Sequence, residues 1–110
     1  MIQLAMAKPD TVFRALADPT RRAVFERIVA GETHVAALTA GLEVSQPAVS
    51  QHLAALKSAG LVRERRDGRR TYYRAEPAGL EPLVDWMARA GAFWPERVER
   101  LKELLKRMDQ

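Results

Sequence analysis

The 110-residue chain contains no cysteine. Disulfides, thiolate metal sites and cysteine nucleophiles are thereby excluded, and the absence suits the reducing conditions of a cytoplasmic protein. Histidine is nearly as scarce. His34 and His52 are the only imidazoles, so a zinc site would have to recruit carboxylates or water from distant segments. No uncharged apolar run approaches the ~20 residues of a membrane span. Residues 1–7 are too short for the apolar core of a secretory signal before the chain meets Lys8-Pro9-Asp10. Gly-rich phosphate loops, nucleophile motifs and carboxylate pairs at catalytic spacing are missing, so the sequence predicts no enzyme and no cofactor. It also lacks internal repeats and low-complexity linkers. A chain of this length has room for one domain, 1–110, burying roughly two thirds of its unfolded surface.

What the chain has is positive charge, unevenly placed. The formal net charge is +4 and the isoelectric point about 10.0, a balance that favours an anionic partner. Residues 61–74 hold Arg63, Arg65, Arg66, Arg69, Arg70 and Arg74 against only Glu64 and Asp67. That one segment carries an excess equal to the whole chain's. Residues 44–56 carry no formal charge at all and are rich in Ser and Gln, with His52 among them.

Capping residues and apolar spacing divide the chain. Asp10 opens a helix over 11–17 with Val12, Phe13 and Leu16 on one face. Asp18-Pro19 restarts the chain, Asp18 as cap and Pro19 in the first helical position, where no backbone N–H is needed. Val24, Phe25, Ile28 and Val29 then form a buried stripe ending near Gly31. Thr33 is the expected cap of a short third helix carrying Val35 and Leu38 and closed by Gly41. Ser45 caps a fourth, in which Val49, Leu53 and Leu56 turn inward and Gly60 ends the run. A short helix, a Gly-containing turn and a second helix over 33–59 have the spacing of a helix-turn-helix. Residues 61–75 read as a two-stranded hairpin about Asp67-Gly68, a pair suited to a type I′ turn, with Val62 and Tyr73 inward. From Leu80 to Met108 the chain is again helical. Trp94, Val98, Leu101, Leu105 and Met108 recur at four and three residues, with Pro95 expected to kink or restart the helix. The fold class is mainly α with a small β-hairpin: four helices, two strands and a last helix.

With the fourth helix docked through its apolar stripe, Gln46, Ala48, Ser50 and Gln51 lie on or beside its outer face. Gln can bond adenine bidentately, Ser can reach bases or phosphates, and Ala can sit against a thymine methyl. The helix has no carboxylate to repel phosphate. Arg65, Arg66, Arg69 and Arg70 cluster about the hairpin tip, within reach of phosphates or a minor groove. The bland alternatives are a polar surface helix and a solvated strand pair; their adjacency favours double-stranded DNA. The apolar seam exceeds what so small a core can cover, which favours a second subunit over a ligand pocket.

These pieces in this order resemble the ArsR family of winged-helix repressors. The resemblance covers 18–74. It rests on Asp18-Pro19-Thr20-Arg21-Arg22, on Ser45-Gln46-Pro47-Ala48-Val49-Ser50-Gln51-His52-Leu53, on Leu56-Lys57-Ser58-Ala59-Gly60-Leu61-Val62, and on Arg66-Asp67-Gly68-Arg69-Arg70-Thr71-Tyr72-Tyr73-Arg74. The tail, with Trp86, Phe93-Trp94, Arg97, Leu101 and Leu104-Leu105, is similar to the family's autorepressor branch. The resemblance implies a winged helix-turn-helix and a homodimer paired through its first and last helices, 11–17 and 80–108. Val12, Phe13 and Leu16 would then join the seam residues at the dimer contact. It also implies a roughly palindromic operator, contacted by Ser45, Gln46, Ala48, Ser50, Gln51 and His52 in the major groove and by Arg69 and Arg70 from the wing. The family's thiolate box is absent, so sensing of metals through cysteine is excluded, and no effector is indicated. Two alternatives stay open on the sequence. One is a sensor of the same fold using the aromatic tail or non-thiolate ligands such as His34. The other is a winged helix whose basic hairpin meets an acidic protein.

Overall fold

The structure, a computed structural model, describes residues 9–91 and 95–108. Helix α1 (Pro9–Ala17) begins two residues earlier than expected and is followed by α2 (Pro19–Ala30). The restart between them is as the sequence predicts: the Asp18 carboxylate accepts from the Arg21 backbone N–H at 2.9 Å, and Pro19 takes the first turn. Arg22 Nη1 donates to the Leu16 carbonyl at 2.7 Å, placing a cation at the negative end of α1.

Three local expectations are corrected downstream. Thr33 does not cap the third helix. It pairs with Tyr73 in a short strand, β1 (Thr33–His34), and His34 becomes the cap, its Nδ1 accepting from the Ala37 N–H. Helix α3 (Val35–Leu42) runs past Gly41 and ends on Glu43, which sits in the left-handed region at φ 55°. The glycine is used differently: a Cβ at Gly41 would collide with the Arg27 guanidinium, which donates to the Gly41 carbonyl at 3.1 Å. The helix-turn-helix turn, Glu43-Val44-Ser45, therefore contains no glycine. Helix α4 (Gln46–Ser58) starts from Ser45 as expected, with Ser45 Oγ accepting from the Ala48 N–H at 3.2 Å.

Strands β2 (Val62–Asp67) and β3 (Arg70–Ala75) form the hairpin, and β1 adds to the far side of β3, giving an antiparallel sheet ordered β1-β3-β2. The third strand escaped the sequence reading because two residues are too few for a period-2 pattern. The turn is shifted by one residue. Asp67 pairs with Arg70, leaving Gly68 and Arg69 at its centre. Only Gly68 has positive φ, 66°, the order of a type II′ turn, which needs Gly first and accepts most residues second.

The core joins Val12 and Ala15 of α1, Val24, Phe25 and Ile28 of α2, Leu38 of α3, and Val49, Leu53 and Leu56 of α4 to Leu61 and Val62 at the wing base, whereas Val29, expected on the buried stripe of α2, is 54% exposed. Each large aliphatic side chain so buried contributes about 1.5–3 kcal/mol. Tyr73 and Ala75 pack against this core from β3, on the face shared with Val62. A tight turn, Pro77–Leu80, follows, and a Cβ on Gly79 would strike the Gly60 carbonyl. The C-terminal segment is two helices, α5 (Glu81–Ala90) and α6 (Pro95–Met108), because Pro95 opens a new helix and does not merely kink one.

Candidate DNA interface

Helix α4 is held from one side only. Val49, Leu53 and Leu56 are buried, whereas Pro47, Ser50, Gln51 and Ala54 recur at helical spacing on the exposed side, with Gln46 beside them. Ser45, Gln46, Ser50 and Gln51 thus lie together on one polar, uncharged, solvent-facing surface. Ala48 is half-buried at its margin.

His52 is placed differently. It is half-buried, and its Nδ1 accepts from Arg21 Nε of α2 at 3.3 Å. That bond ties α4 to α2 and turns one ring nitrogen away from the exposed face. Its partner, Arg21, is 31 residues away in sequence and carries no periodic signal that would pair them. The same α2 start holds the Asp18 carboxyl below its ordinary range, chiefly through the backbone N–H of Arg21.

The wing's arginines fall into two sets. Arg65 is held bidentately by Glu32, with Nε and Nη2 at 3.1 and 2.8 Å from the carboxylate oxygens. Arg63 Nε pairs with Glu76 at 3.2 Å. Arg66 and Arg69 are exposed and make no ion pair among the described residues. Arg70 Nη1 lies 3.2 Å from His34 Nε2. A neutral imidazole has one lone pair in its ring plane, so if Nδ1 accepts from Ala37, Nε2 carries the proton and cannot also accept from Arg70. At the wing base, Lys57 Nζ meets Glu64 Oε1 at 2.6 Å. This holds the Glu64 carboxyl below its ordinary range and raises the Lys57 ammonium. The recognition helix and the wing are therefore pinned together at the C-terminal end of α4.

The residues expected at a dimer contact also separate. Val12 is buried at 1% exposure and belongs to this subunit's own core; its place on the apolar stripe of α1 did not distinguish the two. Leu16 is partly buried against the same core. Phe13 and Trp86 are about two-fifths exposed and meet edge to face, 5.2 Å between centroids. On α6, Leu101 and Leu105 are half-buried, while Leu104 and Met108 are 47% and 68% exposed. Trp94 and the Val98 side chain lie outside the described residues. Among those residues no group of three His, Cys, Asp or Glu side chains is gathered as for a metal ion, and no helix is long and apolar enough to cross a membrane.

Comparison with known proteins agrees with this geometry. A helix-turn-helix domain family matches residues 16–65. The HTH-type transcriptional regulator Rv2034 of Mycobacterium tuberculosis is 43% identical over 97 residues, covering 88% of each chain. The transcriptional repressor SdpR of Bacillus subtilis is 31% identical over 78 residues, 71% of this chain and 87% of its own. Among solved structures, a homodimeric winged helix-turn-helix DNA-binding domain from Mycobacterium bovis, described as a possible ArsR-family regulator, superposes with a TM-score of 0.58. It is 31% identical, with 88% of this chain and 73% of that one covered. With an exposed recognition helix, a basic wing and relatives alike over most of its length, the chain belongs to the ArsR family of winged helix-turn-helix transcriptional regulators.

Proposed function

We propose that the protein is a cytoplasmic, non-catalytic repressor that binds a roughly palindromic operator as a homodimer, with 1–110 acting as one unit. The observation that carries this reading is the uncharged outer face of residues 46–56 of α4, together with the wing's Arg66 and Arg69, which are exposed and make no ion pair among the described residues. Gln46, Ser50 and Gln51 read base edges in the major groove, and Ala48 offers a methyl contact at the margin. Ser45, at the helix N-terminus, and Arg66, Arg69 and Arg70 hold phosphates. His52 supports the helix through Arg21. The exposed apolar groups of Phe13, Trp86, Leu104 and Met108 form the dimer contact with Leu101 and Leu105. The homodimeric state of the Mycobacterium bovis domain supports it. SdpR, named a transcriptional repressor, supports repression over activation.

The test is salt-dependent binding to duplex DNA. With Arg63 and Arg65 engaged within the fold, about three phosphates per subunit are neutralised, and log K falls against log salt with a slope of about −5. A slope near zero would overturn the electrostatic half of this reading, and little binding to a random duplex at low salt would favour an acidic protein as the partner of the wing.

A further inference from the structure

The outer face of the sheet carries a chain of contacts that the DNA-reading surface does not use. Glu32, in the loop before β1, holds Arg65 of β2 through both carboxylate oxygens. The Arg65 guanidinium lies 4.9 Å from the ring centroid of Tyr72 on β3. Tyr72 meets His34 of β1 edge to face at 5.6 Å and 85°. His34 Nδ1 in turn accepts from the Ala37 N–H, capping the first helix of the helix-turn-helix. These four side chains form a continuous path from β2, the first strand of the wing, to the start of α3.

We propose that Glu32, Arg65, Tyr72 and His34 form a strut that sets the angle of the wing against the recognition helix. Arg65 is then a positioning residue and not a phosphate contact. The proposal rests on the DNA-binding reading above and deepens it. The occupancy of Arg65 carries it: Nε and Nη2 are taken by Glu32, Nη1 stands 3.6 Å from Asp67, and Tyr72 covers the guanidinium plane. A phosphate could capture this guanidinium only by replacing a bidentate pair and displacing it from an aromatic face. A two-stranded hairpin is marginal alone, and the pairs at its base, Lys57 with Glu64 and Arg63 with Glu76, fix its root without reaching α3.

The sign of the Glu32 effect decides the matter. Glu32→Gln, Arg65→Gln and the charge-swapped double variant Glu32→Arg/Arg65→Glu are titrated with two probes over a salt series. One is a duplex selected from a random pool by the unsubstituted protein; the other is the unselected pool. Amide hydrogen exchange at Ala37 is followed without DNA. The strut requires both single variants to lower the selected-to-random affinity ratio about three- to fivefold, the scale of an exposed bidentate pair. It also requires an unchanged salt slope, faster exchange at Ala37, and partial recovery in the swap, whose net charge is unaltered. If Glu32→Gln tightens both duplexes while Arg65→Gln reduces the salt slope by about one, Arg65 is a phosphate contact and the strut is overturned. Unaltered exchange at Ala37 in both single variants overturns the link to α3. Failure of the unsubstituted protein to bind any duplex would overturn the DNA reading instead, and the exchange data would still decide the strut.

Discussion

Gln51 and Arg69 are both exposed and polar, yet they answer to different physics. A Gln that bonds a base edge discriminates, so Gln51→Ala costs about 1–3 kcal/mol on the selected duplex and relaxes one base position. An Arg that holds phosphate does not discriminate, so Arg69→Ala weakens selected and random duplexes alike. Parallel titrations of the two variants separate the roles, and equal losses for Gln51→Ala on both duplexes would contradict its assignment. Acid stability is also a residue-scale property. Asp18, Glu32 and Glu64 are held below the ordinary carboxylate range by the Arg21 backbone N–H, by Arg65 and by Lys57 respectively. A depressed carboxyl pKa stabilises the fold above the unfolded value, and the contribution is lost as pH falls through the folded value. Asparagine also caps helices well. Asp18→Asn therefore keeps its melting temperature near neutrality and loses less than the parent between neutral pH and the carboxylate range, measured by thermal melts across pH.

At the scale of elements, caps and apolar spacing carried most of the information. Asp18-Pro19, Ser45 and the stripe Val49, Leu53, Leu56 all act in the structure as the sequence implies, because each is a local pattern within one turn or one helix face. The errors arose where a distant segment intervened. Thr33 had the chemistry of a cap but was drawn into the sheet by Tyr73, 40 residues on, so capping fell to His34. Gly41 looked like a helix stop and instead makes room for Arg27. The Arg-rich segment was legible as a hairpin. Its division into paired and unpaired arginines was not, since Glu32 and Glu76 lie outside it. Ser45 offers a direct check on the cap that orients the recognition helix. Ser45→Ala removes the bond to the Ala48 N–H and lowers unfolding free energy by about 1 kcal/mol, read by chemical denaturation.

For the whole molecule, the question is what covers its apolar surface. Phe13, Trp86, Leu104 and Met108 are large apolar side chains that the subunit's own core leaves 40–68% exposed, and a second subunit is the simplest cover. Leu104→Lys and Met108→Lys together shift sedimentation toward the monomer while leaving far-UV circular dichroism unchanged. The same variant loses affinity for a two-half-site duplex far more than for a single half-site. A tetramer-to-dimer change, or no change, would move the contact elsewhere. The buried position of Val12 sharpens this picture: on α1 Val12 and Ala15 belong to the subunit's own core, and Phe13 between them is the residue left for the proposed pairing surface.

The one-residue shift of the wing turn has a consequence for variation. In the turn expected from Asp67-Gly68, both central positions would demand residues at ease with positive φ. In the observed turn that demand ends at Gly68, and position 69, at the apex, accepts nearly any side chain without disturbing the ladder from Asp67 to Arg70. The farthest-reaching point of the wing is thus conformationally unconstrained. Its chemistry can be exchanged, by evolution or by design, while the hairpin that presents it stays the same.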